Sequence, residues 1–123
     1  MPKVSKTTAT HADDFGVAED HSEDLDGYTV NFVTIRQDHD LGPMLAALPD
    51  GRCPCPHWGY VLKGRLAVRY DDHDETVEAG EAFYLAPGHV PAAEAGTEFV
   101  QFSPADQLAT TTEAIKKAMT GGA

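Results

Sequence analysis

The sequence predicts an all-β domain, an antiparallel sandwich or barrel, followed by one C-terminal α-helix. Three observations carry this. From Tyr28 to Phe102 the chain divides into about six or seven short runs rich in β-branched and aromatic residues, at spacings of roughly 8 to 12 residues or closer, which is the rhythm of a sandwich or barrel. Turn-forming pairs separate several of these runs: Lys63-Gly64, Ala79-Gly80, Pro87-Gly88 and Gly96-Thr97. Finally, Ser103-Pro104-Ala105-Asp106 reads as a helix start, with a capping serine, proline at the first helical position and an acid three residues after the cap.

Each element follows from local composition. Residues 1–26 hold few large apolar side chains (Met1, Val4, Phe15, Val17 and Leu25) and are dense in acid from Asp13 to Asp26. Such a segment buries little area by itself, so it is expected as a flexible or loosely docked tail, or as an arm ordered against a neighbouring subunit. His11 and His21 lie in it and are expected to be solvated. Order is expected from Gly27, with Tyr28 to Arg36 as the first strand. The polar break Gln37-Asp38-His39-Asp40 exposes His39, and Leu41 to Leu48 makes a short helical turn or an irregular edge, opened by Gly42-Pro43 and closed by Pro49-Asp50-Gly51. Trp58 to Leu62 and Arg65 to Tyr70 flank Lys63-Gly64 as a hairpin. Asp71 to Asp74 then turns the chain with His73 at an exposed tip, and Thr76 to Glu78, Ala82 to Leu85, Val90 to Ala95 and Glu98 to Phe102 complete the strands. A helix over residues 104 to 119 places Leu108, Thr112, Ile115 and Met119 on one face and Lys116 and Lys117 near its negative end. It is expected to lie against the outside of the barrel. The expected organisation is thus residues 1–26 as tail or arm, 27–102 as barrel, and 103–123 as helix and tail.

Composition narrows the function. A length of 123 residues is one domain, which excludes separate cofactor and substrate domains. With 9 Lys+Arg against 20 Asp+Glu the formal net charge is -11, and that surface repels a phosphate backbone, so no nucleic acid partner is expected. A hydrophobic content of 41% builds a compact core, while a mean hydropathy of -0.34 leaves part of the chain solvated. No apolar run approaches the ~20 residues of a membrane span, and no apolar leader stands at the N-terminus, so no membrane association and a cytoplasmic location are expected. The two cysteines, Cys53 and Cys55, are separated by one proline. A disulfide framework needs more of them, spread along the chain, so metal ligation, reactivity or packing is their expected role.

The chemistry concentrates in two stretches, Cys53-Pro54-Cys55-Pro56-His57-Trp58-Gly59-Tyr60-Val61-Leu62-Lys63-Gly64 and Gly80-Glu81-Ala82-Phe83-Tyr84-Leu85-Ala86-Pro87-Gly88-His89. Both resemble the paired motifs of the cupin superfamily, in its small single-domain RmlC-like form. Gly64 matches the closing glycine of the first motif, His57 falls where that family carries glutamate, Cys53 where it carries its second histidine, and Gly51 where it carries its first. Gly80, Pro87 and Gly88 have counterparts in the second motif, although the proline is displaced by one. The family's histidine position is Pro91, with His89 two residues earlier on the same strand face. The resemblance implies a jelly-roll barrel, a metal in its interior and a dimer.

Cys53, Cys55 and His57 share one parity, and although a fully extended strand would hold residues 53 and 57 ~13 Å apart, Pro54 and Pro56 favour a bent path that closes the gap. The candidate ligands are therefore Cys53, Cys55, His57 and His89. Thiolate and imidazole donors suit a divalent transition metal, zinc first, over magnesium or calcium. Four ligands would close a structural zinc shell, whereas three would leave a position for water or a small molecule. Alternatively, each cysteine is a small buried hydrophobe, and each histidine a hydrogen-bonded core or turn residue. Trp58, Tyr60, Phe83 and Tyr84 are expected in core or interface packing. Glu94 is the nearest candidate acid, but its parity opposes His89. Three readings stay open: a small metal-dependent enzyme, a non-catalytic metal-binding module that holds a small-molecule ligand or serves as an accessory or sensor, and a barrel stapled by structural zinc whose function lies on its surface or in a homodimer interface.

Overall fold

The structure, a computed structural model, describes residues 3–46 and 48–119 apart from the side chains of Pro49, Ala118 and Met119. Ten strands form two antiparallel sheets among these residues: β1 His11–Asp14, β2 Ala18–Leu25, β3 Tyr28–Ile35, β4 His39–Asp40, β5 His57–Lys63, β6 Arg65–Arg69, β7 Asp74–Glu78, β8 Ala82–Leu85, β9 Val90–Ala93 and β10 Glu98–Pro104. The larger sheet has the order β1-β2-β3-β10-β5-β8 and the smaller the order β4-β9-β6-β7. The architecture is the predicted all-β jelly roll with one C-terminal helix, α1 Ala105–Met119. Short 3-10 turns at Gly42–Leu45 and Pro49–Gly51 occupy the region expected as a helical turn.

Alternation of side chains builds the interior. Val61, Leu66, Val68, Phe83 and Leu85 form one buried cluster between the sheets. A second, made of Leu45, Cys53, Cys55 and Val90 with Leu41, Leu48, Leu108 and Ile115 against it, lies where the 3-10 turns meet α1.

Three features differ from the sequence-based expectation. The acidic segment supplies β1 and β2, which extend the larger sheet from β3 within the same chain. Its acids find partners that offset their solvation: Arg36 donates to Asp14 at 2.6 Å and to Glu19 at 2.7 Å, and the Thr29 hydroxyl donates to Asp24 at 2.7 Å. His21 is paired with Glu19, while His11 is exposed. Second, Lys63-Gly64 does not close a hairpin, because β5 pairs with β10 and β8 while β6 pairs with β7 and β9. The chain changes sheets there. Gly64 adopts φ 73°, and a Cβ on it would overlap Thr97, whose buried hydroxyl bonds both N and O of Arg65 and pins the crossing. Third, α1 lies across an open end of the sandwich. Leu108, Thr111, Thr112 and Ile115 face a cavity there, opposite the expectation of an outside position; Met119, predicted on the same stripe, has its side chain outside the described set.

Candidate metal centre

Pro54 and Pro56 keep the chain between Gly51 and His57 out of regular pairing, and this irregular path folds residue 53 back towards residue 57. Cys53 is held by a single β-bridge to His89: its N–H donates to His89 O at 3.0 Å, and Gly88 N–H donates to Cys53 O at 2.8 Å. His57 opens β5 opposite Leu85. As a result Cys53 Sγ lies 3.6 Å from His57 Nε2, and the ligand atoms of Cys53, His57 and His89 all fall within 4.8 Å of one another, with all three residues buried.

Neighbouring groups fix both imidazoles for ligation. His89 Nδ1 donates to Ala86 O at 2.7 Å, which makes Nε2 the bare nitrogen, and that buried Nε2 has no hydrogen-bond partner. His57 Nδ1 meets the buried Ser103 hydroxyl at 2.6 Å, leaving Nε2 on the Cys53 side. Such outer partners orient ligating histidines and set their tautomer. Ser103 thus lies within β10, next to its last residue, as a support for His57 and not as the predicted helix cap.

Burial decides the protonation states. It pushes the His57 imidazole down to about 3, with the adjacent His89 adding to the effect, and it lowers His89 as well. Burial raises the Cys53 thiol. The trio is therefore two neutral imidazoles and one thiol, so binding a divalent cation requires the loss of one proton. The orphaned His89 nitrogen and the nitrogen–sulfur donor set fit a transition metal and not a hard alkaline-earth ion.

The fourth predicted ligand does not join this group among the described residues. Cys55 is fully buried with its Sγ turned to Pro56 O at 3.5 Å, within the apolar cluster of Leu45 and Val90. Shared parity places two side chains on one face only along a regular strand, and the prolines abolish that regularity. Both cysteines are free thiols. Glu94 is exposed on β6's side of the molecule, paired with Arg65 at 2.7 Å, and has no place at the site.

The trio forms part of the wall of a cavity of about 180 Å³. Most of the wall is apolar, including Phe15, Val33, Ile35, Met44 and Phe99, but Asp20, Asn31, Gln101 and His39 also line it. Asn31 Nδ2 donates to both carboxylate oxygens of Asp20, at 3.1 and 3.0 Å, and its Oδ1 is buried without a partner. His39, expected at an exposed break, is half-buried with an unpartnered Nε2. Asn31 and Gln101 carry a sequence signal, since each is a polar residue within an apolar strand. Asp20 carries none, because it is one acid among many.

No protein-family model matches the sequence, nor does any curated protein. Solved structures do match. A Rhizobium leguminosarum protein described as of unknown function shares 21% identity at a TM-score of 0.60, over 84% of this chain and 95% of that one. An RmlC-like cupin from Shewanella frigidimarina shares 16% at 0.55, over 77% and 84%. Bacillus subtilis oxalate decarboxylase shares 14% at 0.62, over 82% of this chain but 28% of the decarboxylase. The fold is the cupin fold.

Proposed function

We propose that this chain is a metal-binding cupin in which Cys53, His57 and His89 hold one divalent transition metal, zinc by donor type, beside a chamber for a small molecule. The observation that carries this reading is the convergence of three buried ligand atoms, one of them an otherwise unsatisfied imidazole nitrogen, on the wall of a cavity. Three protein ligands leave a coordination position free, which favours a functional site over a structural zinc with a closed shell of four. A metal there supplies Lewis acidity or lowers the pKa of a bound water. The protein's own contribution is to orient the two imidazoles through Ala86 and Ser103 and to surround the site with apolar wall.

The same reading includes a homodimer. Tyr28, Trp58, Tyr60, Leu62, Tyr84 and Phe102 are each more than two-fifths exposed, and Trp58 contacts both Tyr84 and Tyr28 at ring distances of 5.0 and 6.3 Å. This aromatic face has no charged side chain among those six, in a chain of net charge -11, so a second copy can meet it with little like-charge repulsion. No described helix is long and apolar enough to cross a membrane, and free buried thiols suit the reducing cytoplasm.

Cobalt(II) titration tests the site. One equivalent is expected to bind with a thiolate-to-metal charge-transfer absorption that is absent in Cys53→Ser and retained in Cys55→Ser. Binding without that absorption would exclude Cys53 as a ligand.

A further inference from the structure

The cavity has a second polar region, separate from the metal ligands. Asn31 and Gln101 are paired across β3 and β10, and Asp20 on β2 accepts both hydrogen bonds from the Asn31 amide. Gln101 stands two residues before Ser103 on the same face of β10, so this region lies one strand repeat, about 7 Å, along the barrel from the residue that supports His57.

Its chemistry is one-sided. Among the described residues of the wall, Asp20 is the only carboxyl and there is no Lys or Arg. His57 and His89 are kept neutral by burial. The amide hydrogens of Asn31 are spent on Asp20, which leaves its Oδ1 bare on a side chain that is 6% exposed. A carboxylate and a carbonyl oxygen thus sit side by side as acceptors, and leaving such a buried acceptor unmet is costly. A ligand carboxylate would find no counter-charge there, whereas a group with several N–H bonds and a positive charge would satisfy both.

We propose that the chamber takes a small apolar primary amine, its ammonium held between Asp20 and Asn31 Oδ1 and its body against Val33, Ile35 and Phe99. Burial raises the Asp20 carboxyl and the nearby Asp13 adds to the effect, against the Asn31 hydrogen bonds and the fields of His21 and Lys116; a bound cation offsets that penalty. The inference rests on the barrel being a ligand chamber, but not on the metal. The size is suitable, since apolar cavities of about 150 Å³ accept a benzene ring.

The test is calorimetric titration of the full-length protein, as purified, with benzylamine, benzyl alcohol and benzoate, comparing the native chain with Asp20→Asn. The three probes share a body and differ in head group. Benzylamine is expected to lose about tenfold or more in affinity in Asp20→Asn, while benzyl alcohol, needing only an acceptor, changes little and reports an intact chamber. Benzoate is expected to hold or gain. Benzylamine binding unchanged by Asp20→Asn, an equal loss of benzylamine and benzyl alcohol, or no binding of any probe would each overturn the inference. Metal content of the same samples separates the two readings: amine discrimination without metal sinks the metal centre alone, and metal without amine discrimination sinks this inference alone.

Discussion

Cys55 shows how one buried side chain writes a pH dependence into stability. Burial, with Cys53 beside it, pushes its thiol from 9.0 up to about 12. In the unfolded chain the thiol ionises near 9.0, so the stability it contributes is fully present below that pH. It is lost as pH rises through the window to about 12, at roughly 1.4 kcal/mol per pH unit. Urea unfolding across this alkaline range is expected to show that slope in the native chain and a shallower one in Cys55→Ala; equal slopes would contradict the burial. Residue type and motif position singled out Cys53, His57 and His89, and the structure brings their ligand atoms within 4.8 Å of one another. Type and position could not separate Cys55, because the direction of a side chain in a Pro-Cys-Pro stretch depends on a backbone path that parity does not describe. Asp20 was hidden for a related reason: its partner Asn31 lies 11 residues away, across a strand pairing.

At the scale of elements, strands with β-branched runs were legible, and β8 has the predicted limits Ala82–Leu85. Which strands pair was not. Lys63-Gly64 has hairpin chemistry, yet the burial demands of both flanking strands send them to different sheets. The N-terminal strands were illegible because β2 is acid-rich, and it is paired through backbone bonds to β3 with Arg36 balancing its charge. One close approach fixes the centre of the larger sheet: a Cβ on Gly59 would run into Val100 O and the Phe83 ring. Gly59→Ala therefore forces β5 away from β10, and a destabilisation of about 1–3 kcal/mol is expected from thermal or denaturant unfolding. A neutral outcome would mean that the two strands are not packed this closely.

The whole molecule joins an apolar chamber, with Cys53, His57 and His89 in its wall, to an exposed face of Tyr28, Trp58, Tyr60, Tyr84 and Phe102 on a strongly acidic body. That face predicts a concentration-dependent dimer by sedimentation equilibrium, converted to monomer by Trp58→Glu with Tyr84→Glu. A monomeric native protein would remove that proposal and leave the chamber untouched. Elemental analysis of protein purified without added metal should find about one zinc per chain in the native protein and in Cys55→Ser, and a loss of most of it in Cys53→Ser and in His89→Ala. No metal in the native chain, or equal loss in Cys55→Ser, would contradict the three-ligand centre.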